Sequence, residues 1–277
     1  MEFYGDPIPF QFFASSRILC RNMSTAIARI YTSEGFAIAA DGRGHHGTDK
    51  TVATDSAQKI FTISTPDKSL AYAIAGTARL TLGEQTFDFV SEIAKSIQTT
   101  DTSSAATLSE FVRMLCIPME AELRSINVYP TDTPLPESQS MYAIAYVFFD
   151  GYYRGIPARV TAAFAHENQA LQPTDIVPCD LMEDYLLGYG SRVISESLFG
   201  NSTDWLAKYR VTPQRPDRLT LAEATARATG YVAACSDPRA LELDKERCAF
   251  IGGHIHAATI TKSDGFRWVI EPVNNCK

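Results

Sequence analysis

Five consecutive apolar residues, Phe36 to Ala40, stand between Gly35 and Asp41. A run this short and this apolar reads as a strand covered on both faces, because a half-solvated strand alternates apolar with polar residues. A second strand-like stretch precedes it, so residues 24–41 (STAIARIYTSEGFAIAAD) read as two strands around a turn at Ser33-Glu34-Gly35. A sheet buried on both faces needs a packed layer on either side, and this hairpin therefore demands a layered fold.

The rest of the chain continues in local pairs. Residues 58–64 (QKIFTIS) and 69–76 (SLAYAIAG) form a second hairpin around Thr65-Pro66-Asp67-Lys68, where proline and aspartate supply turn chemistry. Thr81-Leu82-Gly83-Glu84 and Thr107-Leu108-Ser109-Glu110 both fit the capping box that opens a helix. Apolar residues then recur at helical spacing: Phe87, Val90, Ile93, Ala94 and Ile97 after the first, and Leu108, Val112, Leu115, Met119 and Leu123 after the second. Pro118 is expected to kink or shorten the second helix. Residues 127–139 hold Pro130, Pro134 and Pro136 and read as a loop. Strands resume at 141–149, turn at Asp150-Gly151 and return at 158–165. Thr220-Leu221-Ala222-Glu223 is a third capping box, opening a helix to about Cys235. The chain closes with strand 249–262, a turn at Asp264-Gly265 and strand 266–271. Strands that pair with sequence neighbours predict an α+β protein and not a doubly wound parallel sheet. The expected architecture is a four-layer αββα sandwich, with two antiparallel sheets between helix layers.

Composition narrows the function classes. The 277 residues carry a formal charge of −7, which argues against a general nucleic-acid binder. No apolar run approaches the roughly 18–20 residues of a membrane-spanning helix. The cysteines at 20, 116, 179, 235, 248 and 276 show no CxxC spacing. Neither a zinc knuckle nor a disulfide framework is expected, and reduced thiols in a cytoplasmic protein fit the pattern. The opening segment carries Glu2 and Asp6, and Pro7 and Pro9 interrupt it, so it does not read as a secretory signal.

The chemistry-bearing residues follow in a fixed order. Ser24-Thr25-Ala26-Ile27-Ala28 opens the first strand, and Asp41-Gly42-Arg43 ends its partner. Lys59 opens the next hairpin, and Ala75-Gly76-Thr77-Ala78 closes it. This arrangement resembles the N-terminal-nucleophile hydrolases of the proteasome β-subunit type, and most closely the bacterial protease HslV. DGRGHHG at 41–47 looks like the family's turn and QKIFTI at 58–63 like its lysine strand. The resemblance is good over 24–98 and follows the element order to about 270. It implies a threonine/serine-type peptidase in which Ser24 or Thr25 attacks the scissile carbonyl. Asp41 and Lys59 would poise the nucleophile, Gly76 and Ala78 would bind substrate backbone and the oxyanion, and Arg43 would order the Asp41 turn. It also implies no cofactor and no metal, a homo-oligomeric ring acting on peptide or protein substrate, and an unfoldase as a candidate partner.

The chemistry requires these residue types. A hydroxyl is a weak nucleophile and needs an adjacent base. A free α-amine, with a pKa of roughly 7.7–8.0, can take its proton near neutral pH. A lysine ammonium favours deprotonation of its neighbours, an aspartate holds that lysine, and backbone N–H groups of a glycine-bearing strand can stabilise an oxyanion. The nucleophile must then be residue one. Trimming after Met23 exposes Ser24 and lengthens the first turn by one residue, a small cost; counting back rigidly from Asp41 selects Thr25. The reading prefers Ser24. It treats residues 1–23 as an N-terminal extension, a propeptide or an over-called start, and 24–277 as a proteasome-like domain.

Two family features are unmatched. Gly188-Tyr189-Gly190 has tyrosine where many members have serine, and Cys248 and Ile251 stand where members often carry Asp and Ser before Gly252-Gly253. A second reading is therefore an inactive ring or scaffold subunit. A third is a metal hydrolase using His254 and His256, which share a face if they stand on a strand. Plainer roles stand beside each assignment: Ser24 and Thr25 as strand openers, Asp41 as a turn residue, Lys59 as an edge charge, Gly76 as a close-packing glycine, His45 and His46 as solvated turn residues, Cys235 and Cys248 as core thiols. Mass spectrometry of the active native protein is expected to find a chain beginning at Ser24 or Thr25; an intact Met1 in active protein sinks the mechanism.

Overall fold

Local turns build two sheets. The computed structural model describes residues 25–46, 51–82, 84–126, 141–167, 170–181, 187–199, 204–212 and 214–273. Ser24 and the loop read over 127–139 lie outside the described residues. Strand β1 (Ile27–Thr32) returns as β2 (Gly35–Ala40), with Ile27 opposite Ala40 and Thr32 opposite Gly35. A short ribbon follows, β3 (Gly44–His45) against β4 (Val52–Thr54). β5 (Ile60–Thr65) and β6 (Lys68–Gly76) form the second expected hairpin, and β7 (Arg79–Leu82) and β8 (Gln85–Asp88) form another. Helices α1 (Phe89–Thr99) and α2 (Leu108–Ser125) come next. The long strands β9 (Met141–Tyr153) and β10 (Ile156–Glu167) follow, with β11 (Ala170–Leu171) and β12 (Asp175–Pro178) folded back on β10. β13 (Leu187–Tyr189) precedes α3 (Arg192–Ser197), α4 (Leu221–Ser236), α5 (Ala240–Leu243) and α6 (Lys245–Cys248). β14 (His256–Thr261) and β15 (Gly265–Ile270) make the last hairpin.

One sheet runs β13-β1-β2-β14-β15 and the other β11-β10-β9-β6-β5, and β12 also pairs with β10. The pairings are antiparallel. Alternation along β1 and β2 sends Ala28, Ile30, Ala37 and Ala39 to one face and Ile27, Phe36, Ile38 and Ala40 to the other. The first set packs with Ala228 and Val232 of α4 and Ile194 of α3. The second meets Ile60, Ala71, Ala73 and Phe148 of the other sheet. That sheet's far face (Leu70, Ile74, Val147, Phe149) packs on Ile93 of α1 and Phe111, Leu115 and Met119 of α2. The continuous apolar run at 36–40 is thus covered by helices on one side and by a second sheet on the other. The expected mixture of helices with antiparallel sheets holds. No helix among the described residues is long and apolar enough to cross a membrane.

Several local expectations are corrected. Thr81 caps no helix: it lies in β7 across from Thr86, and α1 starts at Phe89 with Asp88 as its cap, accepting from Ser91 N at 2.9 Å. The capping boxes at Thr107 and Thr220 are present in full. Pro118 does not shorten α2, which continues to Ser125. The proline sits on the exposed side, while Leu115, Met119 and Leu123 keep the buried stripe continuous. The strand expected from 249, β14, starts at His256, because residues 252–254 are bonded to the Asp41 turn and to Asp55.

No turn forms at Asp150-Gly151. β9 runs through both residues, and the chain turns at Arg154-Gly155, where φ values of 51° and 73° suit a tight hairpin. Asp150 is fully buried, with Arg29 Nε 2.6 Å from Oδ2 and Arg159 Nε 2.5 Å from Oδ1. Arg29 belongs to one sheet and Asp150 and Arg159 to the other, so the cluster ties the sheets through their shared interior. Burial raises the Asp150 pKa, but the two guanidinium groups outweigh it and hold the carboxyl below its usual range. Gly151 has φ 139°, and a Cβ there would lie 2.2 Å from the Ser69 carbonyl oxygen of β6. Asp-Gly here is an ion-pair centre followed by a close strand approach. Asp150→Ala leaves two buried guanidinium groups unpaired and is expected to cost about 3–5 kcal/mol, read from the urea midpoint at constant m-value.

Candidate active site

Asp41 directly follows β2 and is fully buried. Its Oδ1 accepts from Ala26 N at 2.8 Å and from Lys59 Nζ at 2.8 Å. Its Oδ2 accepts from Arg43 N and Gly252 N, both at 3.2 Å. One carboxylate therefore holds the start of β1, the turn after β2, the start of β5 and the loop before β14. Backbone bonds reinforce the junction: Asp41 N donates to Ala26 O, Gly42 N to Gly252 O and Ala57 N to Gly42 O. The turn DGRG is thus shaped by this junction as much as by its glycines.

Lys59 lies just before β5 with its side chain largely buried, at 11% exposure. Its ammonium donates to Asp41 and also to Thr25 Oγ1 at 3.3 Å. Thr25 precedes β1 and is 4% exposed. It lies two residues before Ile27, so alternation places it on the face of β1 that looks toward the second sheet. Thr25, Lys59 and Asp41 are therefore brought together as a hydroxyl, an ammonium and a carboxylate in sequence.

The other proposed site residues stand apart from this group. Arg43 contributes its backbone N–H to Asp41, while its side chain pairs with Asp55 at 2.7 Å and packs over Gly252. Gly76 ends β6 with φ 102°, a conformation that favours glycine. The neighbouring Thr77 N–H is already bonded to Ile144 O at 3.0 Å. Ala78 is exposed, and its carbonyl accepts from Phe89 N at the start of α1. Ser191, next to Gly190, donates to Asp244 at 2.6 Å and caps α3, so its hydroxyl is spent on structure.

The two histidines read as a metal pair diverge. His254 lies before the strand, where its Nε2 donates to Glu271 O at 2.7 Å. His256 is buried, and its Nε2 accepts the Lys59 backbone N–H at 3.1 Å. Among the described residues no group of three His, Cys, Asp or Glu side chains converges as a metal site. His45 is not a solvated turn residue: its Nε2 donates to Phe250 O at 2.8 Å. Cys235 and Cys248 are buried thiols, as expected. His256 is the site neighbour that the sequence reading misplaced. Its one signal is the histidine that opens HAATIT, beside two alanines.

Sheets and helices together define a protein of mixed α/β, proteasome-like fold. The chain is similar to a Gly-1 mutant of Anbu from Hyphomicrobium sp. strain MC1, with 16% identity over 91% of this chain and 89% of that one and a TM-score of 0.53. It is also similar to Anbu, described as an ancestral beta-subunit, from Yersinia bercovieri, with 14% identity, the same coverage and a TM-score of 0.51. At these identities the likeness is one of fold alone. No protein-family model and no curated protein matches the chain. The assignment to the proteasome β-subunit and HslV family is thereby overturned. STAIA, DGRGHHG and QKIFTI are short strand-and-turn sequences, and such residues recur wherever strands meet turns.

Burial first, and then the Lys59 ammonium, push His256 down from 6.5 to about 4, so the ring is neutral at pH 7. Its folded pKa lies below the unfolded value, so the unfolded chain takes up the proton first. Stability therefore falls as pH drops from 6.5 toward about 4, by at most about 3 kcal/mol. Urea midpoints at pH 7 and pH 4.5 are expected to show this loss in the wild type and to show less of it in His256→Gln.

Proposed function

We propose that this chain is an N-terminal-nucleophile hydrolase of amide bonds, an endopeptidase whose nucleophile is the Thr25 hydroxyl. One observation carries the reading: the Lys59 ammonium stands within hydrogen-bond distance of both Thr25 Oγ1 and the buried Asp41 carboxylate. In this reading the chain begins at Thr25, one residue later than trimming after Met23 would leave it. The freed α-amine takes the hydroxyl proton, directly or through water. Oγ1 then attacks the substrate carbonyl, an ester to Thr25 forms as the amine leaves, and water hydrolyses the ester. Lys59 favours the developing negative oxygen, and Asp41 fixes Lys59. The three apolar clusters support a four-layer αββα arrangement with this group at one end of the inter-sheet space. The free thiols at Cys116, Cys179, Cys235 and Cys248 fit a reducing, cytoplasmic setting.

The inactive-scaffold reading rests on a separate observation. Cys248 and Ile251 precede Gly252, and the Ser191 hydroxyl is engaged by Asp244 and α3, so neither segment brings a further Ser or Asp side chain to Thr25. A chain released by a specific protease to begin at Thr25, treated with an electrophilic β-lactone or epoxyketone probe, separates the two. The hydrolase reading expects one probe per chain, mapped to Thr25. It also expects labelling to slow by about 10²-fold or more in Lys59→Ala. An unlabelled chain with Thr25 as residue one supports the scaffold; a label on Ser24 in a chain beginning there moves the nucleophile by one residue.

A further inference from the structure

The residue that grips Lys59 from behind is His256. It heads β14, opposite Ala40 of β2, next in the chain to Asp41, and is 1% exposed. Its Nε2 accepts the Lys59 N–H, so the ring proton is on Nδ1. Among the described residues the buried Nδ1 has no partner at full hydrogen-bond geometry, and the nearby His254 backbone interacts with the ring only weakly. An unpaired buried N–H is unfavourable, and an apolar ring could occupy the same place against Trp268, whose ring lies 6.1 Å away. Packing alone therefore gives no reason for a histidine here. The acceptor at Nε2 does. The other side of the Lys59 residue is held as well, since its carbonyl accepts from Ile74 N at 3.2 Å. These two bonds hold the backbone at 59 from both sides, and from there Nζ reaches both Thr25 and Asp41.

We infer that His256 is a positioning residue for the Thr25–Lys59–Asp41 group, holding the Lys59 backbone through Nε2 so that the ammonium stands between hydroxyl and carboxylate. The inference rests on the hydrolase reading for its catalytic consequence. The ring must remain neutral, because a proton on Nε2 removes the acceptor and places a second cation beside Lys59. The charged and titratable groups around it are Lys59 from the head of β5, with Asp41 as that ammonium's partner, and His254 from the preceding loop. Trp268 of β15 covers the ring without charge.

Hydrogen exchange at the Lys59 amide in the chain beginning at Thr25 tests the contact without requiring activity. In His256→Leu the amide is expected to exchange roughly tenfold faster. In His256→Gln, whose side-chain oxygen reaches about as far as Nε2, protection is expected to return. If His256→Leu fails to fold, His256→Asn serves instead, being polar but too short to reach Lys59. Labelling of Thr25 by the β-lactone should follow the same order, slowed in Leu and recovered in Gln, with the change in the inactivation rate and not in probe half-saturation. Equal exchange in wild type, Leu and Gln overturns the contact. Faster exchange with unchanged labelling overturns the positioning role. A wild type that takes no label overturns the hydrolase reading, and the exchange order still decides the contact.

Discussion

Asp41 is the constraint on which both the first sheet and the candidate site depend. A buried carboxylate is costly unless its oxygens are satisfied and its charge is paired. Here four donors meet that demand, three of them backbone N–H groups of Ala26, Arg43 and Gly252. The fourth is the Lys59 ammonium, the only charged donor to Asp41 among the described residues. The path of the chain around residues 26, 43 and 252 is thus set by one side chain, and the lysine that balances its charge is left facing Thr25. Fold and candidate site share the same carboxylate.

A second buried carboxylate makes an instructive contrast. Asp150 has two guanidinium partners, and Arg29 reaches on to Thr161 Oγ1 at 3.3 Å. The Arg159 Nη1 and Nη2 groups have no hydrogen-bond partner among the described residues, and burial lowers the Arg159 pKa despite the nearby carboxylate. This cluster sits deep between the sheets and links one to the other. Asp41 sits at their end, where its lysine keeps some exposure. Similar ion-pair chemistry therefore serves architecture in one place and a candidate reaction in the other, and depth is what separates them.

The fold was legible wherever the signal was local. The hairpins at 27–40 and 60–76 and the helices opened by Thr107 and Thr220 follow from short apolar runs, turn residues and capping boxes. The misreadings fall where local chemistry serves a distant partner. Thr81-Leu82-Gly83-Glu84 has the letters of a cap but forms a hairpin, because Asp88 is better placed for α1. Residues 249–255 have the apolar content of a strand, yet Gly252 and His254 are held by Asp41 and Asp55, more than 190 positions earlier. In the site, Thr25, Asp41 and Lys59 were picked by type and order, and they converge. Gly76 and Ala78 were picked the same way, and their neighbouring backbone groups bond to β9 and α1.

The sequence by itself determined that strands pair with their neighbours, that one hairpin is buried on both faces, and that a hydroxyl, a carboxylate and a lysine lie on consecutive strand ends. These follow from periodicity and turn chemistry, which act over a few residues. Only the tertiary structure decided that Asp150-Gly151 is interior, that His256 is an acceptor for Lys59 and that His254 donates to Glu271 instead. Arg29 meets Asp150 across 121 positions and His256 meets Lys59 across 197. A charge or an imidazole shows its role only once burial has removed water and left a single partner within reach, and that partner is chosen by packing, not by spacing.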